Sequence, residues 1–124
     1  MSSYFEEYEI ACPCCNEMCL TPKAVNHLNM LNVARYNANI PFNINSWNRC
    51  EKHNKEVSGS PTSSHLKGIA TDISFKDMTE LFIIVNSLML AGFKRILIYP
   101  KSWFIHVDSD STKTYPVLKV MEQE

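Results

Sequence analysis

The spacing of apolar residues divides the chain into two helical stretches and a set of short alternating ones. "KDMTELFIIVNSLMLAGF" gives the clearest helix. Asp77, with Glu80 three positions later, makes a start like a capping box, although that box strictly begins with Ser or Thr. Gly92 is the expected C-terminal stop. "LTPKAVNHLNMLNVARYNA" predicts a second helix, with Thr21 as N-cap and Pro22 in the first helical position. Its apolar stripe is expected along Val25, Leu28, Leu31 and Val33 or Tyr36.

Strands are expected where the period shortens to two. "IPFNINSW" sets Ile40, Phe42 and Ile44 against polar neighbours. "GIATDISF" places Ile69, Thr71, Ile73 and Phe75 on one side and Ala70 and Asp72 on the other. "KRILIYP" and "SWFIHVD" read as two strands around a turn at Pro100 to Ser102, and "YPVLKV" as a last edge strand. The polar stretch "CEKHNKEVSGSPTSSH" reads as a long functional loop with room for a helical turn. Helices and strands mix without strict βαβ alternation. The predicted class is α+β, a small, mainly antiparallel sheet with flanking helices.

Composition narrows the setting. A length of 124 residues suits one domain, 1–124, with 45% apolar and 20% charged residues. A net charge of −1 and scattered basic residues give no footprint for nucleic acid or an anionic membrane. No apolar run approaches a membrane span. The start "MSSYFEEYEI" lacks a basic n-region and an apolar h-region, so the product is expected to be cytoplasmic as synthesised, or to leave by a phage-type route. Disulfides are then not the default for Cys12, Cys14, Cys15, Cys19 and Cys50, and the odd number leaves at least one thiol unpaired.

Two stretches carry candidate chemistry. In "SSHLKGIATDI", Asp72 sits between apolar residues seven positions after His65. In "WFIHVD", alternation puts His106 and Asp108 on one face, about 7 Å apart at roughly 3.3 Å rise per residue. Polar groups inside apolar strands are costly unless used or paired. Taken singly, each has an ordinary reading as a satisfied histidine or a salt-bridge partner. Taken together, His65, Asp72 and His106 form a ligand set suited to zinc (Zn2+) with an open fourth position. Gly68 would let the backbone turn tightly between His65 and the strand carrying Asp72.

These residues resemble the signature of the zinc D-Ala-D-Ala carboxypeptidase and L-alanyl-D-glutamate endopeptidase family, Ser-x-His-x-x-Gly-x-Ala-x-Asp followed by an apolar-His-apolar strand. Ser63, His65, Gly68, Ala70 and Asp72 match in register, as do Ile105, His106 and Val107. "INSWNRCEKHNKEVSGSPTSSH" and "YFEEYEIACPCC" resemble the corresponding segments of short phage and bacterial members, so the similarity covers nearly the whole chain. The resemblance implies a hedgehog/DD-peptidase-like fold, with His65, Asp72 and His106 as zinc ligands. It implies Arg49 as the group that binds the substrate carboxylate or the oxyanion, and Ser63 as a supporting residue in the substrate site. One departure concerns the general base. Many members place a glutamate three positions before the last histidine, where this chain has Trp103; another branch places a histidine two before, where it has Phe104. Asp108 is then either the base or the partner that orients His106.

The expected activity is cleavage of peptidoglycan stem peptides next to D-residues by a monomeric zinc peptidase. The rival reading is a weak or inactive zinc-binding module with a structural or wall-binding role, and Trp103 is its best support. The C-x-C-C-x-x-x-C cluster lacks the paired C-x-x-C spacing of a clean zinc framework. Buried or redox-variable thiols come first, a structural metal second, and disulfides, with one to Cys50, remain a third reading. His27 and His53 are expected to be surface or structural residues.

Overall fold

Strand β4, Phe104–Asp108, runs through the middle of a five-stranded sheet and decides the placement of everything around it. A computed structural model describes residues 3–121. The order along the chain is α1 (Glu7–Ile10), α2 (Pro22–Ala38), β1 (Asn43–Ser46), α3 (Glu51–Glu56), a 3-10 turn (Ser64–Lys67), β2 (Ala70–Ser74), α4 (Met78–Leu90), β3 (Arg95–Tyr99), β4, and β5 (Val117–Val120). The sheet order is β1-β2-β4-β3-β5. All pairs are antiparallel except β3 with β5, so the sheet is mixed, and the α+β class holds.

Alternation along the central strands separates two faces. Ile105 and Val107 have no exposed surface and join Ile73, Ile96 and Ile98 against α2 and α4. Phe104, His106 and Asp108 take the opposite face. The register sets Asp72 directly beside His106 and Ala70 beside Asp108. A slip of one residue would send His106 into the hydrocarbon side, so the apolar pattern of β2 and β4 also fixes the polar pair.

Both helix starts follow the sequence. Thr21 Oγ1 accepts from Ala24 N at 3.2 Å, with Pro22 opening α2. Asp77 accepts from Glu80 N at 2.8 Å, and Glu80 reaches back to Lys76 N at 3.0 Å, one residue earlier than a true capping box would place it. Gly92 follows α4 at φ 103°.

The packing stripe of α2 keeps Leu28 and Leu31 from the predicted one and departs from it elsewhere. Ala24, His27, Leu31 and Ala34 are its buried residues, while Val25, Val33 and Tyr36 are exposed. Two alanines let α2 approach closely, and a histidine takes a position that hydropathy would give to an apolar residue. The strand expected from Ile40 begins only at Asn43, and the predicted loop contains all of α3.

His27 is tolerated inside because both ring nitrogens are satisfied. Nδ1 meets Ser109 Oγ and Nε2 meets Thr71 Oγ1, each at 2.9 Å. Trp47 and Phe93 pack edge-on against the ring. Burial drives its pKa down to about 3, from 6.5 in an open chain. Unfolded His27 therefore takes a proton that the folded form refuses. Its contribution to stability is intact above pH 6.5 and falls as pH drops toward 3, at about 1.4 kcal/mol per pH unit. Urea unfolding of the metal-free chain should lose roughly 2–3 kcal/mol from this group between pH 6.5 and about pH 4.5. The gap between wild type and His27→Gln should close over the same range.

Candidate metal centre

A short capped turn delivers the first histidine. Ser63 Oγ accepts from His65 N at 3.2 Å and starts the 3-10 turn. Gly68 ends it at φ 71°, in the left-handed region, where an added Cβ would also lie 2.7 Å from Asn48 Oδ1 and from Cys19 Cβ. Asp110 fastens the turn from below: its Oδ2 accepts from Ser64 Oγ at 2.8 Å and from Lys67 Nζ at 3.3 Å. His65 is left almost wholly buried against the sheet. Its Nδ1 lies 2.7 Å from the carbonyl oxygen of Trp47. A carbonyl can only accept, so Nδ1 carries a proton and Nε2 is the ring nitrogen turned to the site. Nε2 faces Asp72 Oδ1 at 3.3 Å, where it donates when protonated and offers its lone pair when a cation takes the proton's place.

The sheet delivers the other two donors. His106 Nδ1 stands 3.0 Å from the same Asp72 oxygen, and its Nε2 stands 2.8 Å from Asp108 Oδ2. Asp108 has no exposed surface, and both its oxygens are committed. Oδ2 also accepts from Arg95 Nε at 2.9 Å, and Oδ1 accepts from Asp110 N at 3.1 Å. The carboxylate thus holds the Nε2 proton of His106 and turns Nδ1 toward Asp72.

The charges follow from this wiring. Burial pushes the Asp72 carboxyl up, but hydrogen bonds from His106 and His65 outweigh it and hold it at about 2. Burial pushes His106 down, but Asp108 and Asp72 raise it above the ordinary imidazole value. Burial likewise opposes ionisation of Asp108, and His106, the Asp110 amide and Arg95 bring its pKa below the usual range. Two acceptor atoms 3.0 Å apart repel unless positive charge lies between them. A proton on Nδ1 supplies it, and so would a divalent cation. One donor atom each from His65, Asp72 and His106 lies within 4.8 Å of the other two, in the His/His/carboxylate combination that catalytic zinc accepts. Each imidazole has its far nitrogen tied to an oxygen acceptor, the usual support for such ligands. The donor set fits zinc.

Arg49 stands at the rim. Its Nη2 is 3.9 Å from Asp72 Oδ2, its Nη1 donates to Asn54 Oδ1 at 3.0 Å, and its Nε donates to Ser46 Oγ at 3.3 Å. Asn54 is itself buried and donates to the Ser60 carbonyl at 2.9 Å. Gly59 closes over this pair: a Cβ there would fall 2.1 Å from Asn54 Oδ1 and 2.8 Å from Arg49 Nη1.

The structure thus gathers His65, Asp72, His106 and Arg49 in one place. Ser63 touches the group only through the backbone of His65. Asp108 lies behind the His106 ring, away from Asp72. Trp103 is half exposed at φ 57°, packed on Phe75. Phe104 stacks on Tyr99 with centroids 4.6 Å apart. Residue patterns alone passed over Arg95, Asn54, Gly59 and the Trp47 carbonyl. Only alternation in "RILIY" could have flagged a neighbour, since it puts Tyr99 on the face of Arg95. Burial raises the Tyr99 phenol, and the Asp72 charge adds to the rise.

Residues 3–108 match the family described as peptidase M15, and the chain belongs to that family. No curated protein matches it. Family membership makes the chain a metallopeptidase by lineage, of a zinc-dependent kind. Gly59→Ala should push Asn54 off Arg49 and lower unfolding free energy by about 1–3 kcal/mol, the cost of a broken buried hydrogen bond, read from denaturant titration.

Proposed function

We propose that this member of the peptidase M15 family is a zinc-dependent hydrolase of bacterial peptidoglycan, cutting stem-peptide amides next to D-amino acids. The observation that carries the reading is the convergence of His65 Nε2, Asp72 Oδ1 and His106 Nδ1, with the far nitrogen of each imidazole fixed. These three would hold the ion. Bound there, zinc supplies Lewis acidity, polarising a carbonyl and making water more acidic.

The remaining work falls to the chain's own groups. Asn54 and Ser46 hold the Arg49 guanidinium flat beside Asp72. A carboxylate or a developing oxyanion is the natural guest for its remaining N–H groups. Ser63 acts at one remove, by capping the turn that presents His65. Asp108 enters as the partner of His106. Its buried, fully bonded carboxylate supports orientation over proton transfer. Overall, water adds across the amide: a hydroxyl joins the carbonyl carbon, the C–N bond breaks, and the amine leaves with the proton. D,D-carboxypeptidase and endopeptidase activity share this chemistry and differ in how far the substrate extends past the cut.

A second reading has its own support. Trp103 occupies the place of the family glutamate and bears no group that moves a proton, and Asp108 is fully engaged. A weakly active or inactive zinc-binding module with a structural or wall-binding role would look the same at the ligands.

Digestion of purified peptidoglycan separates the two. New amine groups should appear, vanish with a chelator, and return with zinc. Bound zinc without released amine across several wall chemotypes would instead select the module. His106→Ala should abolish cleavage and zinc uptake at the His65–Asp72–His106 group. Asp108→Asn should weaken zinc by about 10–100-fold, the usual effect of losing a ligand's outer partner, and added zinc should restore the rate. A rate that stays low at saturating zinc would return the base role to Asp108.

A further inference from the structure

A second group of ligating side chains lies outside this centre. After α1 the chain turns through "CPCC". Cys12 N donates to the Glu17 carbonyl at 2.9 Å, Asn16 N donates to the Cys12 carbonyl at 2.7 Å, and Asn16 adopts φ 62°. This closes the segment into a knuckle that brings together the sulfurs of Cys12 and Cys15, a single C-x-x-C with no second one to match it. Cys50 arrives from the other side, at the start of α3. Its backbone N donates to Cys12 Sγ at 3.4 Å, and its own Sγ accepts from His53 N at 3.4 Å. The three sulfurs lie within 4.8 Å of one another, and no pair is bridged.

We propose that Cys12, Cys15 and Cys50 form a structural site for a soft divalent cation, zinc foremost. Three thiolates at about 2.3 Å from zinc stand roughly 3.8 Å apart in a tetrahedron, so a small inward movement closes the site. The knuckle is preset for it: the Asn48 side chain donates to the Ile10 carbonyl at 2.8 Å and accepts from Cys19 N at 3.0 Å, clamping the segment on both sides. The backbone N–H of Cys50 is aimed at the Cys12 sulfur, an arrangement that suits the thiolate a metal needs. A disulfide would use two sulfurs and strand the third. The group opens on a cavity of about 210 Å³ lined in part by Glu17, Cys19 and Arg49. Solvent, or the exposed Cys14 thiol beside Cys50, can therefore complete the shell.

Cys50 directly follows Arg49. A cation here would pin the N-terminal segment to the backbone that carries the guanidinium, a positioning role. The site shares no residue with the His65–Asp72–His106 centre, and its test is separate.

Metal analysis of the reduced full-length chain should find two zinc ions. Cobalt(II) loading should give a sulfur-to-cobalt charge-transfer band in the near ultraviolet. His106→Ala should lower the count to one and keep the band; Cys12→Ser should lower the count to one and remove it. The wild-type cobalt spectrum decides the matter even if the serine variant does not fold. One zinc with no sulfur band from the reduced chain would overturn the site. Two zinc ions with no peptidoglycan cleavage would leave this site standing while the catalytic reading fails.

Discussion

The contact on which the structure turns is the cross-strand pair of Asp72 and His106. A carboxylate held at about 2 inside a sheet must find positive charge or donors close by, since an uncompensated buried charge costs several kcal/mol. His106 and His65 answer it from two directions, and Arg49 from a third. The compensation then passes outward. Asp108 fixes His106, Arg95 fixes Asp108, and Arg95 Nη1 reaches the Thr114 carbonyl beyond the sheet edge at 2.9 Å. Each polar group in the chain of contacts exists to settle the one before it, and no buried side-chain nitrogen or oxygen among the described residues is left without a partner.

The same logic explains what the sequence revealed. Asp72 between Thr71 and Ile73, and His106 between Ile105 and Val107, stood out because charge inside an apolar strand needs a reason. Alternation gave their faces, and Thr21, Asp77 and Gly92 gave the helix limits, because caps and period are local properties. The grouping of His65, Asp72 and His106 was legible at the level of residue type and matched signature.

Other features depended on tertiary context. Asp108 has two roles open in the sequence, and the weight given to orientation rests on its burial and its bonds to Arg95 and Asp110, which only the fold brings into view. The inner face of α2 was read only at Leu28 and Leu31, because close helix packing favours Ala24 and Ala34, and because the ring nitrogens of His27 are satisfied by Ser109 and Thr71, which lie 82 and 44 positions away. Asn54 and Gly59 belong to a stretch that looked like a polar loop; their work depends on Arg49 folding back over them. The cysteine group went no further than a second-ranked structural metal for a similar reason, since Cys50 joins Cys12 and Cys15 only in three dimensions.

The sheet order carries a consequence for when the metal can be held. β2 and β4 are neighbours in space, but α4 and β3 intervene in sequence, so Asp72 and His106 lie 34 positions apart. Such non-local pairing is a late and entropically expensive event in folding. The nascent chain therefore presents isolated imidazoles and a lone carboxylate with little grip on any ion. On the proposed ligand assignment, affinity would arrive only with completed topology, occupancy would report on maturation, and a cation captured at that stage would draw the equilibrium toward the finished state by mass action.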